Sequence, residues 1–198
     1  MTTPFENLTA RLRDLEDALE AELEEKRAAL RYHLERRRVV FERDVRARHR
    51  AARERLGSFL ARTRPLTVLT APVIYALIVP LVLLDLGVAL YQALCFPVYG
   101  IPRVRRGDYI VIDRQHLAYL NALQKLNCVY CGYANGLIAL VREVAARTEA
   151  YWCPIKHASR VSDPHRRYLG FQDYGDETRY REALEAQRAA LRQDTGAE

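Results

Sequence analysis

Three of the four cysteines lie close together in the second half of the chain, with a spacing that could hold a metal ion. Cys128 and Cys131 form a C-x2-C pair, and Cys153 and His157 follow as C-x3-H. Thiolate and imidazole groups are the ligands that zinc and many iron centres prefer. We therefore expect Cys128, Cys131, Cys153 and His157 to bind one structural zinc or iron ion.

Other arrangements remain open, because the two halves of this motif lie far apart along the chain. A straight helix over residues 133–152 would separate its ends by about 30 Å, whereas Zn–S bonds are about 2.3 Å long. The motif would then divide into two groups, Cys128 with Cys131 and Cys153 with His157 and His116. A Cys-x-x-Cys pair at the start of a helix would in that case indicate a thiol-redox enzyme using Cys128 and Cys131. Inert packing of the cysteines among aromatic side chains is the third interpretation.

A small helical subdomain over residues 103–170 would position these side chains. Its pattern predicts a short strand at 109–112, followed by a helix over 114–127 with Asp113 as the N-cap. A break at two glycines would separate that helix from a second one over 137–150. The motif residues would therefore lie at the ends of two helices.

The same region carries a resemblance to known proteins. The segments YIVIDRQHLAYLNALQKLNCVYCGYANGL and YWCPIKH lie within residues 107–157, about a quarter of the chain. This stretch resembles a set of uncharacterised bacterial inner-membrane proteins. The resemblance implies a bacterial inner-membrane setting and carries no activity with it.

A long apolar segment precedes this subdomain. Residues 65–102 contain Asp85 as their only charged residue, which predicts a membrane segment. Its prolines would kink or break a helix, so we expect either one kinked helix over 70–96 or a hairpin of helices at 67–79 and 82–96. Because arginines flank both ends and positive residues mark the cytoplasmic side, the sequence favours the hairpin, with both termini cytoplasmic.

Asp85 itself allows two interpretations. Ionisable residues inside a membrane segment often mark functional sites, whereas a position near the hairpin turn would make Asp85 a helix cap. A lipid-modifying enzyme at the membrane surface, with Asp85 or Asp108 in its chemistry, is a further hypothesis that no motif supports.

The first 64 residues predict one long charged helix, because they contain a single glycine and no proline after Pro4. Apolar residues recur in steps of three and four, which gives an 11-residue period. These residues are Leu8, Leu12, Leu15, Leu19, Leu23, Leu30, Leu34, Phe41, Val45, Ala52, Leu56 and Phe59. A stripe of this kind requires a partner, so we expect homo-oligomerisation through residues 8–59 in a coiled-coil-like arrangement.

Charge is unevenly distributed along this helix. Residues 26–64 carry fourteen basic and four acidic side chains, and the arginines of 46–64 adjoin the membrane segment. Juxtamembrane basic clusters attract anionic lipid, and no nucleic-acid-binding motif is present. We therefore expect a lipid partner and no nucleic acid.

Together these patterns predict a mainly α-helical, membrane-anchored protein in four parts. The parts are a long N-terminal helix over 1–64, a membrane segment over 65–102, a Cys/His subdomain over 103–170, and a C-terminal helix with a frayed tail over 171–198. The predicted function is that of a scaffold or accessory protein for an unidentified protein partner, with its subdomain pinned by metal. Thiol-redox catalysis is the alternative.

Overall fold

The computed structural model of the protein describes residues 4–29, 32–35 and 38–194, and it is mainly helical, as predicted. The elements in chain order are α1 (Pro4–Ala29), β1 (Tyr32–Glu35), β2 (Arg38–Phe41), α2 (Arg43–Ala51), α3 (Leu56–Arg62), α4 (Pro65–Ala76), α5 (Ile78–Tyr99), α6 (Arg106–Tyr109), α7 (Ala122–Trp152) and α8 (Tyr180–Gln193). Short 3₁₀ turns occur at Arg114–His116 and Arg166–Gly170. The chain divides into two compact units, Met1–Ala61 with Asp113–Leu126 and Arg62–Ile112 with Asn127–Glu198.

In the first unit, the prediction of one continuous helix over 1–64 is wrong. The strands β1 and β2 form an antiparallel hairpin in which Tyr32 pairs with Phe41 and Glu35 with Arg38. Aromatic and β-branched residues are concentrated here, and these residue types favour strands over helix. A second interruption, at residues 52–55, separates α2 from α3.

The broken helix also breaks the predicted oligomerisation stripe, which cannot form one face over residues 8–59. Leu30 lies outside the described residues. On α1, the side chains of Leu12, Leu15 and Leu19 are exposed, whereas Val45 on α2 is buried. Homo-oligomerisation through residues 8–59 stays a prediction, although these residues do not lie on one continuous helix.

The second unit contains the apolar segment as one kinked helix. Only Leu77 separates α4 from α5, and its backbone angles (φ −63°, ψ −12°) continue the helical direction. The kink follows from Pro80, which has no N–H to donate and whose ring crowds the carbonyl of Ala76. The predicted membrane hairpin is therefore wrong, since reversing the chain requires a turn that Leu77 does not make. The 35 residues Pro65–Tyr99 are long and apolar enough to cross a membrane.

Both ends of this helix follow local rules. Pro65 occupies the first turn, where a missing N–H costs nothing. At the other end, Gly100 adopts a left-handed conformation (φ 69°). Its neighbour Ile101 donates from its backbone nitrogen to the carbonyl of Phe96 at 2.9 Å, which completes a Schellman-type ending.

Helix α7 is continuous across the glycines at which a break was predicted. Its N-cap is Asn121, whose side chain accepts from the Gln124 backbone nitrogen (3.0 Å) while the Gln124 side chain accepts from that of Asn121 (2.9 Å). Of the helix predicted over 114–127, residues 114–116 form a 3₁₀ turn and only residues 122–127 are α-helical, as the start of α7. Residues 109–112 do not form a strand. The reciprocal Asn121–Gln124 bonds start the helix later than the sequence suggested.

The core of the second unit lies between α5, α7 and the segment that connects them. The order of contacts shows that α7 runs parallel to α4 and α5, because Tyr75 hydrogen-bonds Asn127 and Tyr91 bonds Thr148 at 3.0 Å. Residues 101–110 return along both helices. The buried apolar side chains are Phe96, Ile101, Val104, Leu137, Leu140, Val144, Ala150, Phe171 and Leu191.

Gly132 and Gly136 form a G-x-x-x-G pair on the buried side of α7. A Cβ atom at Gly136 would lie 2.7 Å from the Tyr109 carbonyl oxygen and 2.8 Å from the Ile110 Cα. These are backbone atoms, which cannot move aside as a flexible side chain could. Residues 109 and 110 of the returning segment therefore lie closer to α7 than any residue other than glycine at position 136 would allow.

We expect Gly136→Ala to lower the free energy of unfolding by about 1–3 kcal/mol, because overpacking displaces backbone. The matched control is Gly87→Ala on α5, where nothing lies within 4 Å of the added Cβ. That control should be neutral or stabilising by up to about 1 kcal/mol, since alanine favours helix. Thermal unfolding in detergent, followed by circular dichroism, measures both. Equal midpoints for the two variants would contradict the close approach at Gly136.

Candidate functional site

The structure separates the four predicted metal ligands. Cys128 and Cys131 lie near the start of α7, and Cys153 follows its last residue. Cys153 lies 22 positions after Cys131, which corresponds to about 33 Å along a helix at 1.5 Å per residue. The structure therefore does not bring the four predicted ligands together, because α7 has no break at which the chain could fold back. The metal site stays a prediction. Among the described residues, no group of three or more His, Cys, Asp and Glu side chains is placed to hold a metal ion.

The predicted ligands have other surroundings. The ring of His157 stacks on Tyr168, with centroids 6.1 Å apart, and its backbone nitrogen donates to the Tyr168 hydroxyl at 2.7 Å. Cys153 is exposed, and its backbone nitrogen bonds the Glu149 carbonyl at 2.8 Å. His116 lies in the first unit, beside Gln115. The alternative metal cluster of His116, Cys153 and His157 is thus not formed by the described residues.

Cys128 and Cys131 are free thiols about one turn apart on α7. Cys128 is the seventh residue of this helix, counted from Ala122. The pair therefore lies beyond the first turn, where the helix N-terminus acts most strongly on a thiolate. This departs from the helix-start position expected for a redox motif, and the redox hypothesis stays a prediction.

Asp85 is the only charged residue of the apolar helix, and its carboxylate has two side-chain partners. It is only 9% exposed and is the eighth residue of α5, so its predicted role as a helix cap is wrong. The Arg106 guanidinium donates to one carboxylate oxygen, and the Tyr133 hydroxyl donates to the other at 2.8 Å. Arg106 also lies 5.9 Å from the centroid of the Tyr133 ring. Asp85 and Arg106 thus form an ion pair, and the Tyr133 hydroxyl bonds the second oxygen of the carboxylate.

This arrangement neutralises the only charge on the apolar helix. The hydrogen bond from Arg106 to Asp85 raises the pKa of the arginine, because the carboxylate stabilises the guanidinium. Arg106 is itself half exposed, so the pair extends from the protein interior toward the surface. Asp108, the second candidate for lipid chemistry, forms a separate surface ion pair with Arg105 at 2.8 Å.

Other polar groups near the apolar helix are also paired. The buried side chain of Gln92 accepts a hydrogen bond from the Val104 backbone nitrogen at 2.8 Å. The Tyr130 hydroxyl donates to the Ile74 carbonyl at 2.8 Å, close to the kink. Sequence reasoning missed Gln92, Arg106 and Tyr133 because these contacts join residues far apart in the chain. One feature of the sequence could have indicated the Arg106 contact. Arg106 closely follows the apolar segment, whose only acidic residue is Asp85.

The opposite face of α5 is apolar and exposed. Large side chains recur there in steps of three and four residues, each at least 60% exposed. They are Leu83, Leu86, Leu90, Leu94 and Val98. The charge of Asp85 therefore faces α7, and these five side chains face outward. We call this outward side of α5 the leucine face.

A second ionic cluster lies at the other end of α7. Arg147 is 5% exposed and donates to the Glu143 carboxylate (2.8 Å) and to the Pro102 carbonyl (2.9 Å). Asp194 lies 3.4 Å from its guanidinium, and Arg167 bridges Glu143 and Asp194. Burial opposes the charge of Arg167, but the bonds to both carboxylates outweigh it and raise its pKa. This cluster joins α7 to the α5–α6 connection and the end of α8.

Comparison of the chain with protein-family models, with curated proteins and with solved structures gives no match. The resemblance to bacterial inner-membrane proteins therefore stays a prediction.

We expect Asp85→Asn to lower the free energy of unfolding by about 1.5–3 kcal/mol, because it removes a charge-assisted bond from a buried site. Asp108→Asn is the matched control, since it breaks an Asp–Arg pair whose arginine is well exposed, and it should cost less than about 1 kcal/mol. Denaturant titration in detergent measures both changes. An Asp85→Asn protein as stable as the Asp108→Asn protein would contradict the pairing described here.

The Arg147 cluster and a metal site make opposite predictions about chelation. We expect strong chelators to leave the unfolding midpoint unchanged. Arg147→Leu should lower stability by about 3 kcal/mol, because the carboxylates of Glu143 and Asp194 lose a buried partner. The control is Arg142→Leu, which removes an exposed pair with Asp163 from the same helix. A chelator that unfolds the protein would instead restore the metal hypothesis.

Proposed function

We propose that the protein is a membrane-anchored scaffold or accessory protein of the bacterial inner membrane. In this proposal the kinked helix α4–α5 lies in the bilayer and holds α7 against itself. The observation that carries the proposal is the leucine face, which is exposed along α5 while the only charge of the segment is turned inward and paired.

Physical chemistry favours lipid over water as the surroundings of this face. Contiguous apolar surface of this kind is rare on soluble monomers and marks a site of association with a membrane or a protein. A charged residue at the middle of a membrane helix costs about 2.5–3.5 kcal/mol on insertion scales. Pairing Asp85 with Arg106 and Tyr133 reduces that cost.

Basic residues directly before the segment support the same location. Arg62 and Arg64 precede Pro65. Each arginine near an anionic membrane surface contributes about 1 kcal/mol of attraction. We assign these residues to the headgroup regions, together with the predicted lipid contact of 46–64. The sidedness of the termini stays a prediction.

A scaffold fits the site better than an enzyme does. Each carboxylate oxygen of Asp85 accepts a hydrogen bond from a side chain, which suits a structural role more than proton transfer. The buried Arg147 likewise serves to join elements of the second unit. In addition, the exposed leucines of α1 offer a surface for a second copy or another protein, as an accessory role requires.

Membrane fractionation of bacteria that produce the full chain tests this proposal. We expect the protein to remain in the membrane pellet after washing with high salt and with alkaline carbonate. Leu83→Arg with Leu86→Arg should release most of it, because each arginine on the lipid-facing side costs about 2.5–3.5 kcal/mol.

The matched control is Leu12→Arg with Leu15→Arg, which makes the same change at two exposed leucines of α1. This variant should stay in the pellet. Release of the unaltered protein by salt or carbonate would overturn the proposal.

A further inference from the structure

Helix α7 shares several features with a membrane segment, and its contacts with α4 and α5 reveal them. We propose that the first half of α7, residues 127–141, is also embedded among lipid acyl chains, alongside α4 and α5. This inference rests on the proposed membrane insertion of α4–α5 and extends it to a second helix. Its partner is the hydrocarbon of the bilayer.

Charge defines the extent of this half-helix. No Asp, Glu, Lys or Arg occurs from residue 127 to residue 141, whereas Lys125 precedes it and Arg142 and Glu143 follow. Fifteen residues of helix cover about 22 Å, against a hydrocarbon thickness of about 30 Å. The uncharged half-helix is therefore long enough to enter the bilayer deeply without crossing it.

The polar side chains within this stretch are hydrogen-bonded inside the protein. Asn127 accepts from the Tyr75 hydroxyl, and the Asn135 amide donates to the Cys131 carbonyl at 2.9 Å. The hydroxyls of Tyr130 and Tyr133 donate to the Ile74 carbonyl and to Asp85. Such internal pairing is unnecessary in water but is required in hydrocarbon, where an unpaired polar group costs several kcal/mol.

These contacts also set the depth of the half-helix. Tyr75 and Ile74 at the kink touch its beginning, and Asp85, farther along the apolar helix, touches Tyr133. Because the two helices run side by side and in the same direction, residues 127–141 lie at the same level as the apolar helix. If that helix is in lipid, the exposed side of this stretch faces lipid as well.

The exposed side of this stretch carries no charge. Its exposed residues are Cys131, Ile138 (56% exposed), Ala139 and two asparagines, Asn127 and Asn135, whose hydrogen bonds within the protein are given above. The glycines of the G-x-x-x-G pair are on the buried side. Cys131 lies on the exposed side, and Cys153, which is also exposed, lies beyond the end of the helix. The two native cysteines therefore report on lipid coverage without any substitution.

The test uses the unaltered chain in nanodiscs, in which both membrane faces are open to water. A charged maleimide that cannot enter hydrocarbon is added, and peptide mass spectrometry with fragmentation measures labelling at each cysteine. We expect Cys131 to react at least about ten-fold more slowly than Cys153, because the reagent is excluded from the bilayer. Both should react equally after denaturation in sodium dodecyl sulfate.

A second measurement separates coverage by lipid from coverage by protein. A hydrophobic carbene precursor dissolved in the bilayer labels whatever touches the acyl chains. We expect it to label residues 126–142 around Ile138 as well as α5, and to leave α8 unlabelled. Labelling of α5 without that of 126–142, or equal maleimide reactivity of Cys131 and Cys153, would overturn the inference while leaving the proposed anchor intact. A protein that fails to enter nanodiscs would overturn both.

Discussion

A single carboxylate on an otherwise uncharged helix constrains the whole second unit. Asp85 is buried in the middle of α5, where an unpaired charge would be strongly destabilising. Two partners satisfy it, and they come from different parts of the chain: Arg106 from the segment after α5 and Tyr133 from α7. The returning segment and the second helix must therefore both lie against the same side of α5, which leaves the leucine face free.

The returning segment creates a second requirement. Irregular backbone inside a protein exposes N–H and carbonyl groups that need partners. Here the partners are side chains of the adjoining helices, because Gln92 accepts from the Val104 nitrogen and Arg147 donates to the Pro102 carbonyl. Gly136 then admits the Tyr109–Ile110 backbone close to α7. A G-x-x-x-G pair that typically joins two helices serves here to accommodate a buried connection.

The two ionic groups lie toward opposite parts of α7 and have different surroundings. The Asp85 group lies beside the leucine face, where the described partners are a half-exposed arginine and a phenol. The Arg147 cluster contains two arginines and two carboxylates and joins α7 to Pro102 and to the end of α8. In the proposed function the first group lies in or near lipid and the second lies outside it.

The sequence by itself determined that residues 65–102 are apolar and that their prolines would kink or break a helix, because these follow from local properties. It favoured a hairpin over the single kinked helix that the structure shows. Pro65, Pro80 and Gly100 act through their own backbone geometry, and apolar composition needs no partner to be recognised. Only the tertiary structure decided the continuity of α7, the separation of Cys128 from Cys153, and the partners of Asp85. The glycines of α7 look like a break until the backbone of Tyr109 and Ile110 is placed against them. Likewise, the four predicted metal ligands could meet only if the chain reversed direction between Cys131 and Cys153. It does not reverse there, because α7 is one continuous helix that packs along α5.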